Sequence, residues 1–336
     1  MGLPGSRLSC GQASKSPQDP WASPAGRRVP PVPARENCLA GAALRVRISS
    51  IQGPARSADE FRVDNMQLAF LGGGNMGRAL IGGLLRRGTR PEQISVGESV
   101  EAARSSLARD LGITATADNV AAVENAELIV LAVKPQDAAT VLASLQPLLS
   151  RNKPIVLSVA AGIRTSALES WCGPEIPVVR AMPNRPALVG AGVTGLYAPS
   201  HVGPTHRAAA ERVMLAVGEV VWVPTEDAID VVTALSGSGP AYFFLLAELM
   251  AEAAAQLGLE PQAARRLALA TLHGAGLLAN ASDGDLARLR AEVTSKGGTT
   301  EAAVQSLEAA DLRSIITRAL DAATRRSREL AAQFGS

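Results

Sequence analysis

The chain has 336 residues, 47% of them apolar and 3% aromatic, with a formal net charge of +2. That length accommodates about two domains at ~100–200 residues each, and alanine- and leucine-rich apolar runs point to a helix-rich α/β protein rather than a β-sandwich. The near-balanced charge argues against a nucleic-acid partner, and no run approaches about 18 uninterrupted apolar residues, so no membrane span is expected and a cytoplasmic protein is the default.

Residues 1–65 read as a tail. Its first 58 residues hold 8 of the 21 prolines and 8 basic residues against two acids, Asp19 and Glu36, without helix or strand periodicity. Such a segment is disordered, an over-extended start ahead of Met66, or an organelle leader, although the prolines oppose the amphipathic helix of a leader. Cys10 and Cys38 lie in it and Cys172 stands alone. No disulfide framework is expected, and a reducing compartment fits. No metal site is expected.

From Gln67 onward short apolar runs alternate with amphipathic segments. The runs at 67–72, 94–98, 113–117, 127–133, 154–160 and 177–182 predict strands, with helices at 75–87, 100–110, 119–125, 136–149 and 164–171 between them. Two more strands near 192–198 and 219–223 flank a helix at 204–217 and extend the sheet. This alternation predicts right-handed βαβ units on a parallel sheet. Residues 66–225 are therefore expected to form a Rossmann-type dinucleotide-binding domain.

"AFLGGGNMGRALIGGLL" sets Gly72, Gly74 and Gly77 at G-x-G-x-x-G spacing between the first strand and the first helix. Gly72 permits the tight turn, Gly74 admits a pyrophosphate to the backbone, and Gly77 lets helix pack on sheet. The helix N-terminus then faces the phosphates. At the end of the second strand Glu98 is placed to bind the ribose 2′-hydroxyl of NAD, or else to cap the next helix; Ser99 and Arg104 could instead receive a 2′-phosphate. "LAVKPQ" and "SVAAG" end the fourth and fifth strands and line the same crevice. There Lys134 suits a phosphate or ribose, or simply solvent. Pro135, Ala160 and Ala161 suit close approach to a flat ring.

After about Thr225 the strand pattern stops, and 226–236, 240–257, 261–280, 284–293 and 299–333 predict helices apolar on much of their circumference. A ~110-residue helical unit cannot bury 240–257 alone, which predicts a dimer. The knot "SGSGP" at 236–240 is expected to end one helix and start the next, with Pro240 in a first turn and Ser238 near the substrate. Gly297 and Gly298, ahead of a helix starting near Thr299, offer backbone N–H groups for a carboxylate, with hydroxyls from Ser295 and Thr300. Glu226 and Glu248 are candidates for proton delivery, or else exposed or capping residues.

"FLGGGNMGRALIGGL", "AVKPQ", "RAMPNRPALVGAG", "TALSGSGPAYFF" and "VTSKGGTTEAA" together resemble the pyrroline-5-carboxylate reductase family over residues 66–334. The resemblance implies an N-terminal Rossmann-type parallel-sheet domain followed by an all-helical dimerisation domain over 226–336 that interleaves with its twin. It implies reduction of 1-pyrroline-5-carboxylate to L-proline by NADPH, often with NADH tolerated, in homodimers that commonly form rings of five. By position, cofactor contacts fall on Gly72, Gly74, Asn75, Met76, Gly77, Ser99, Asn119, Ala132, Val133, Lys134, Pro135, Val159, Ala160 and Ala161. Substrate contacts fall on Ser295, Gly297, Gly298, Thr299 and Thr300, with the Thr300 hydroxyl beside the ring nitrogen. Arg185 and Lys296 depart from the residues relatives often carry.

Two other readings stay open on residues alone. A β-hydroxyacid dehydrogenase shares the two-part plan but needs a catalytic lysine, and Lys296, the one lysine after Lys153, sits in a glycine loop. A dinucleotide-sensing protein without turnover is the other.

Overall fold

The structure is a computed structural model that describes residues 66–334, so every expectation for 1–65 lies outside the described residues. One sheet contains β1 (Leu68–Leu71), β2 (Ile94–Gly97), β3 (Thr114–Thr116), β4 (Leu128–Leu131), β5 (Ile155–Ser158), β6 (Val178–Met182), β7 (Gly192–Tyr197) and β8 (Gly218–Trp222). The order is β3-β2-β1-β4-β5-β6-β7-β8. Strands β1 to β6 run parallel, as the alternation predicts. The two further strands extend the sheet as expected, in a direction the pattern left unstated: β7 is antiparallel to β6, and β8 is parallel to β7. The reason is the connection: a 3-10 turn at Arg185–Val189 is too short for the crossover that a parallel neighbour requires.

The helices α1 (Asn75–Arg86), α2 (Glu101–Leu111), α3 (Asn119–Val123), α4 (Pro135–Asn152), α5 (Thr165–Cys172) and α6 (Pro204–Leu215) cover both faces. Strand residues alternate between two cores, as period-two side chains must. Leu68 and Phe70 pack with Leu80, Ile81 and Leu84 of α1 and with Val213 and Met214 of α6. Ala69 and Leu71 pack with Leu142, Leu145 and Leu149 of α4 and Leu168 of α5. With both faces buried, the strands read as continuous apolar runs.

Beyond β8 the chain is helical: α7 (Ala228–Val232), a π-helical turn (Thr233–Gly237), α8 (Gly239–Gln256), α9 (Pro261–Ala281), α10 (Leu286–Glu292), α11 (Thr299–Ala309) and α12 (Leu312–Phe334). Two expectations are corrected. The serine-glycine knot does not separate two helices; it widens one continuous helical run, Ala228–Gln256, in which the Ser238 N–H donates to Thr233 O at 2.8 Å, five residues back. The single helix expected over 299–333 breaks at Asp311, whose φ of +58° is left-handed, a conformation aspartate tolerates better than most residues.

Because the knot is bridged, Ala228–Gln256 is long and apolar enough, by length and composition, to cross a membrane, contrary to the expectation of no such segment. Its Phe243, Phe244, Leu246, Leu249 and Met250, with Leu267 and Leu278 of α9, are exposed in the single chain. The far end of α12 returns to the sheet: Ala331 is buried, and Phe334 packs against the core formed with α4 and α5.

Candidate active site

The parallel strands put six carboxyl ends on one edge, where open α/β sheets bind ligands. Gly72 turns there with φ of +99°, and a Cβ would lie 2.7 Å from Ala132 O. At Gly77 a Cβ would meet Gly72 O at 2.5 Å. Gly74 differs, because among the described residues nothing lies within 4 Å of its missing Cβ. It caps α1 without a side-chain bond, and the first turn carries no acid. The terminal N–H groups at Asn75 and Met76 therefore lack an intrahelical partner and sit beside open space. An anion approaching the bare Gly74 fits this cradle, so the residues present suit a dinucleotide pyrophosphate.

Next along the edge, β2 ends in Glu98 and Ser99. The Glu98 carboxylate accepts from Gly73 N and from Val100 N, each at 2.9 Å, so it braces the glycine loop and caps α2 at once. Arg104 donates through Nη1 to Glu98 O at 2.8 Å and to Ser99 O at 2.7 Å, clamping that turn. Asn119 opens α3 with its amide oxygen against Gly97. Ser99, Arg104 and Asn119 thus converge on the end of β2. On the other side of β1, Ala132 and Val133 follow β4, Lys134 caps α4 and is exposed, and Pro135 begins that helix. Val159, Ala160 and Ala161 follow β5, with Ala160 buried and Ala161 exposed. The phosphate cradle therefore lies between a polar group of residues at β2 and a smooth, small-residue group at β4 and β5.

The knot closes this second side. Gly237 faces the end of β6, where a Cβ would meet Met182 Cε at 2.6 Å. Ser238 is half-buried at the head of α8. The 295–300 loop lies between α10 and α11, with Gly297 at φ of +72°. Its hydrogen bonds are local: Gly298 N donates to Ser295 O at 3.0 Å, and Gly297 N donates to Glu301 Oε2 at 2.6 Å. Thr299 is exposed and Thr300 half-buried in the first turn of α11. Glu301 was not anticipated, although a glutamate three residues after a helix cap is a known sequence signal.

Of the two roles open to Glu226, the structure shows the capping one. Its Oε1 accepts from Thr165 N at 2.7 Å and from Arg180 Nη1 at 3.1 Å, and its Oε2 accepts from Thr165 Oγ1 at 3.0 Å. The carboxylate caps α5 and neutralises a buried arginine, so it serves the junction between sheet and helices and not proton delivery. Glu248 is exposed. Around Glu226, Ser327 Oγ donates to Asp230 Oδ1 at 2.7 Å, and Arg164 pairs with Asp227 at 2.7 Å, whose carboxyl that hydrogen bond holds below the usual range. Arg180 Nη2 lies 4.0 Å from Asp230. Sequence reasoning missed this cluster; its signal was a lone arginine inside the apolar β6 and acids at 226, 227 and 230. Among the described residues no group of three or more His, Cys, Asp or Glu is arranged to hold a metal ion.

A bare glycine turn and an unopposed helix terminus on the carboxyl edge of a doubly wound sheet define the class: a dinucleotide-binding protein of the Rossmann type. Comparison with known proteins narrows it. Residues 226–330 match the family model described as pyrroline-5-carboxylate reductase dimerisation, and residues 67–162 match NADP oxidoreductase, coenzyme F420-dependent. The pyrroline-5-carboxylate reductase of Pseudomonas aeruginosa is 44% identical over 80% of this chain and 98% of its own length. That of Vibrio alginolyticus is 41% identical over 81% and 100%. A solved pyrroline-5-carboxylate reductase from Coxiella burnetii superimposes with a TM-score of 0.77 at 42% identity, covering 80% of this chain and 99% of that one. The Plasmodium falciparum enzyme, solved with NADP bound, gives 0.69 at 28%, covering 80% and 98%. The chain belongs to the pyrroline-5-carboxylate reductase family.

Proposed function

We propose that this chain reduces the C=N bond of 1-pyrroline-5-carboxylate to L-proline with NADPH, with NADH as an alternative, as the last step of proline biosynthesis in the cytoplasm. The observation that carries the reading is the open anion cradle at Gly74–Met76 in a chain of this family. When bound, a reduced nicotinamide supplies the hydride that goes to the imine carbon, and a proton goes to the nitrogen. The chain's residues then have to bind, orient and exclude water, which is catalysis largely by positioning.

In this reading residues 66–225 hold the cofactor and 226–336 form the dimer and the substrate site. Asn75, Met76 and the three glycines take the pyrophosphate. Ser99, Arg104 and Asn119 take the phosphorylated ribose, a role supported by their convergence at β2. Ala132 to Pro135 and Val159 to Ala161 line the reactive ring. Gly297, Gly298 and Thr299 hold the substrate carboxylate, with Glu301 leaving the Gly297 N–H as the anion arrives. The Thr300 hydroxyl bonds the ring nitrogen, assisted by Ser295, and Ser238 borders the ring. The functional unit is a homodimer, with five dimers in a ring as its further assembly. The test is steady-state oxidation of NADPH and of NADH by the purified protein. Turnover is expected when the cyclic imine is supplied, and its absence with both reductants overturns the reading.

A further inference from the structure

The knot at 236–240 is held in its widened form by side chains on either side of it, one outside its helix and one within it. Two carbonyls in this stretch are left without their ordinary helical bonds. Ser236 O would accept from residue 240, but that residue is Pro240, which has no N–H. Ala234 O would accept from Ser238 N, which is turned to Thr233 O. Asn184 Nδ2 donates to Ser236 O at 3.1 Å, and the Tyr242 hydroxyl donates to Ala234 O at 3.0 Å. The orientation of the Asn184 amide is fixed independently, because Val193 N donates to its Oδ1 at 3.0 Å. Its side chain is buried, at 8% exposure, and follows the carboxyl end of β6. One amide therefore ties together the end of β6, the start of β7 and the π-helical turn. Widened turns of this kind recur at functional sites.

The location gives this clamp a purpose. The phosphate cradle is at β1, and the polar cluster at β2 takes one end of an extended dinucleotide. The other end must then run past β4 and β5 toward β6, where the knot sits. We infer that Asn184 is a positioning residue for the reaction: it holds the Ser236–Pro240 backbone against β6, so that the substrate ring is trapped beside the hydride-donating face, and Tyr242 holds the same turn from the α8 side. This inference rests on the proposed imine reduction and adds the element that sets the substrate's seat.

The test uses the full chain with three variants. Asn184→Asp keeps the acceptor for Val193 N but replaces the donor to Ser236 O by an oxygen. An imine KM raised about tenfold, with the NADPH KM within about twofold, is expected from losing one bond to a buried carbonyl. Adding Pro240→Ala returns an N–H that can serve Ser236 O from within the helix. The double variant should recover melting temperature but keep the raised imine KM, because the tie to β6 is still missing. Tyr242→Phe should raise the imine KM in the same selective way, and it reports on the turn even if Asn184→Asp does not fold. Equal shifts in both KM values, an unchanged imine KM in Tyr242→Phe, or recovery of the imine KM in the double variant would overturn the positioning role. A parent protein that turns over no imine would instead remove the underlying reading, and the inference with it.

Discussion

Thr300 occupies the second position of α11, where its hydroxyl is not needed as a cap because Gly298 already holds that place. Thr300→Val keeps the branched shape and removes the polar contact. Turnover should fall by ~10²-fold or more, the low end for a positioned proton-transfer group, with the NADPH KM unchanged; a variant that melts earlier but turns over normally refutes the role. Glu301 holds the N–H assigned to the substrate carboxylate, so Glu301→Gln removes a competing negative charge. The imine KM should drop by about threefold to tenfold, as one near-surface charge contact of ~1 kcal/mol would give, and steady-state kinetics decides it. Cys172 is buried between α5 and the sheet, and burial, with Glu169 nearby, pushes its thiol from 9.0 up to about 12. Below pH 9 both folded and unfolded thiols are protonated and nothing changes. Between 9 and 12 the unfolded chain releases a proton that the folded chain keeps, so stability falls by ~1.4 kcal/mol per pH unit. Melting curves of the parent and Cys172→Ala should diverge in that window and run parallel below it. At this scale the cofactor turn was legible, because only glycine tolerates the close approaches at Gly72 and Gly77. A capping role for Glu226 was among its readings, but its partners were not legible, since Thr165 and Arg180 lie 61 and 46 residues away in sequence.

The strands were legible to within about two residues, because burial on both faces leaves uniform apolar runs that turn residues interrupt sharply. The reversal of β7 was not, since direction depends on the length of the connection that follows β6 and not on the strand's own residues. The knot misled for a related reason: Gly237, Gly239 and Pro240 punctuate helices in general, but here Asn184, just beyond β6, and Tyr242 of α8 supply the bonds the helix lacks. The junction of α7, α5, β6 and α12 makes its own prediction. Arg180 is 2% exposed, and Glu226 is its nearest carboxylate. Glu226→Ala strands a buried charge and uncaps α5, so unfolding free energy should drop by ~3–5 kcal/mol. Glu226→Ala combined with Arg180→Met should cost less than the sum of the single changes, measured by denaturant unfolding.

In the whole molecule, the exposed aromatic and aliphatic side chains of α8 and α9 fall inside the region matched by the dimerisation family model. A second chain accounts for them, and a membrane is not required to. Leu246 is 54% exposed in the single chain, so Leu246→Glu should leave the monomer's own core intact while shifting sedimentation toward the monomer and abolishing turnover. An unchanged dimer would move the interface elsewhere. The return of α12 to the sheet also has a consequence for synthesis. Ser327 reaches back to Asp230, and Leu330, Ala331 and Phe334 pack at Gly162 beside the β5 end. The sheet's last strand, at Trp222, leaves the ribosome about 100 residues ahead of those partners. At roughly 5–20 residues per second, the nascent sheet waits about 5–20 s with one flank uncovered. Completion of the nucleotide-binding half is thus tied to the final turns of the chain, and a polypeptide ending early at α11 would leave that flank open to chaperones and proteases.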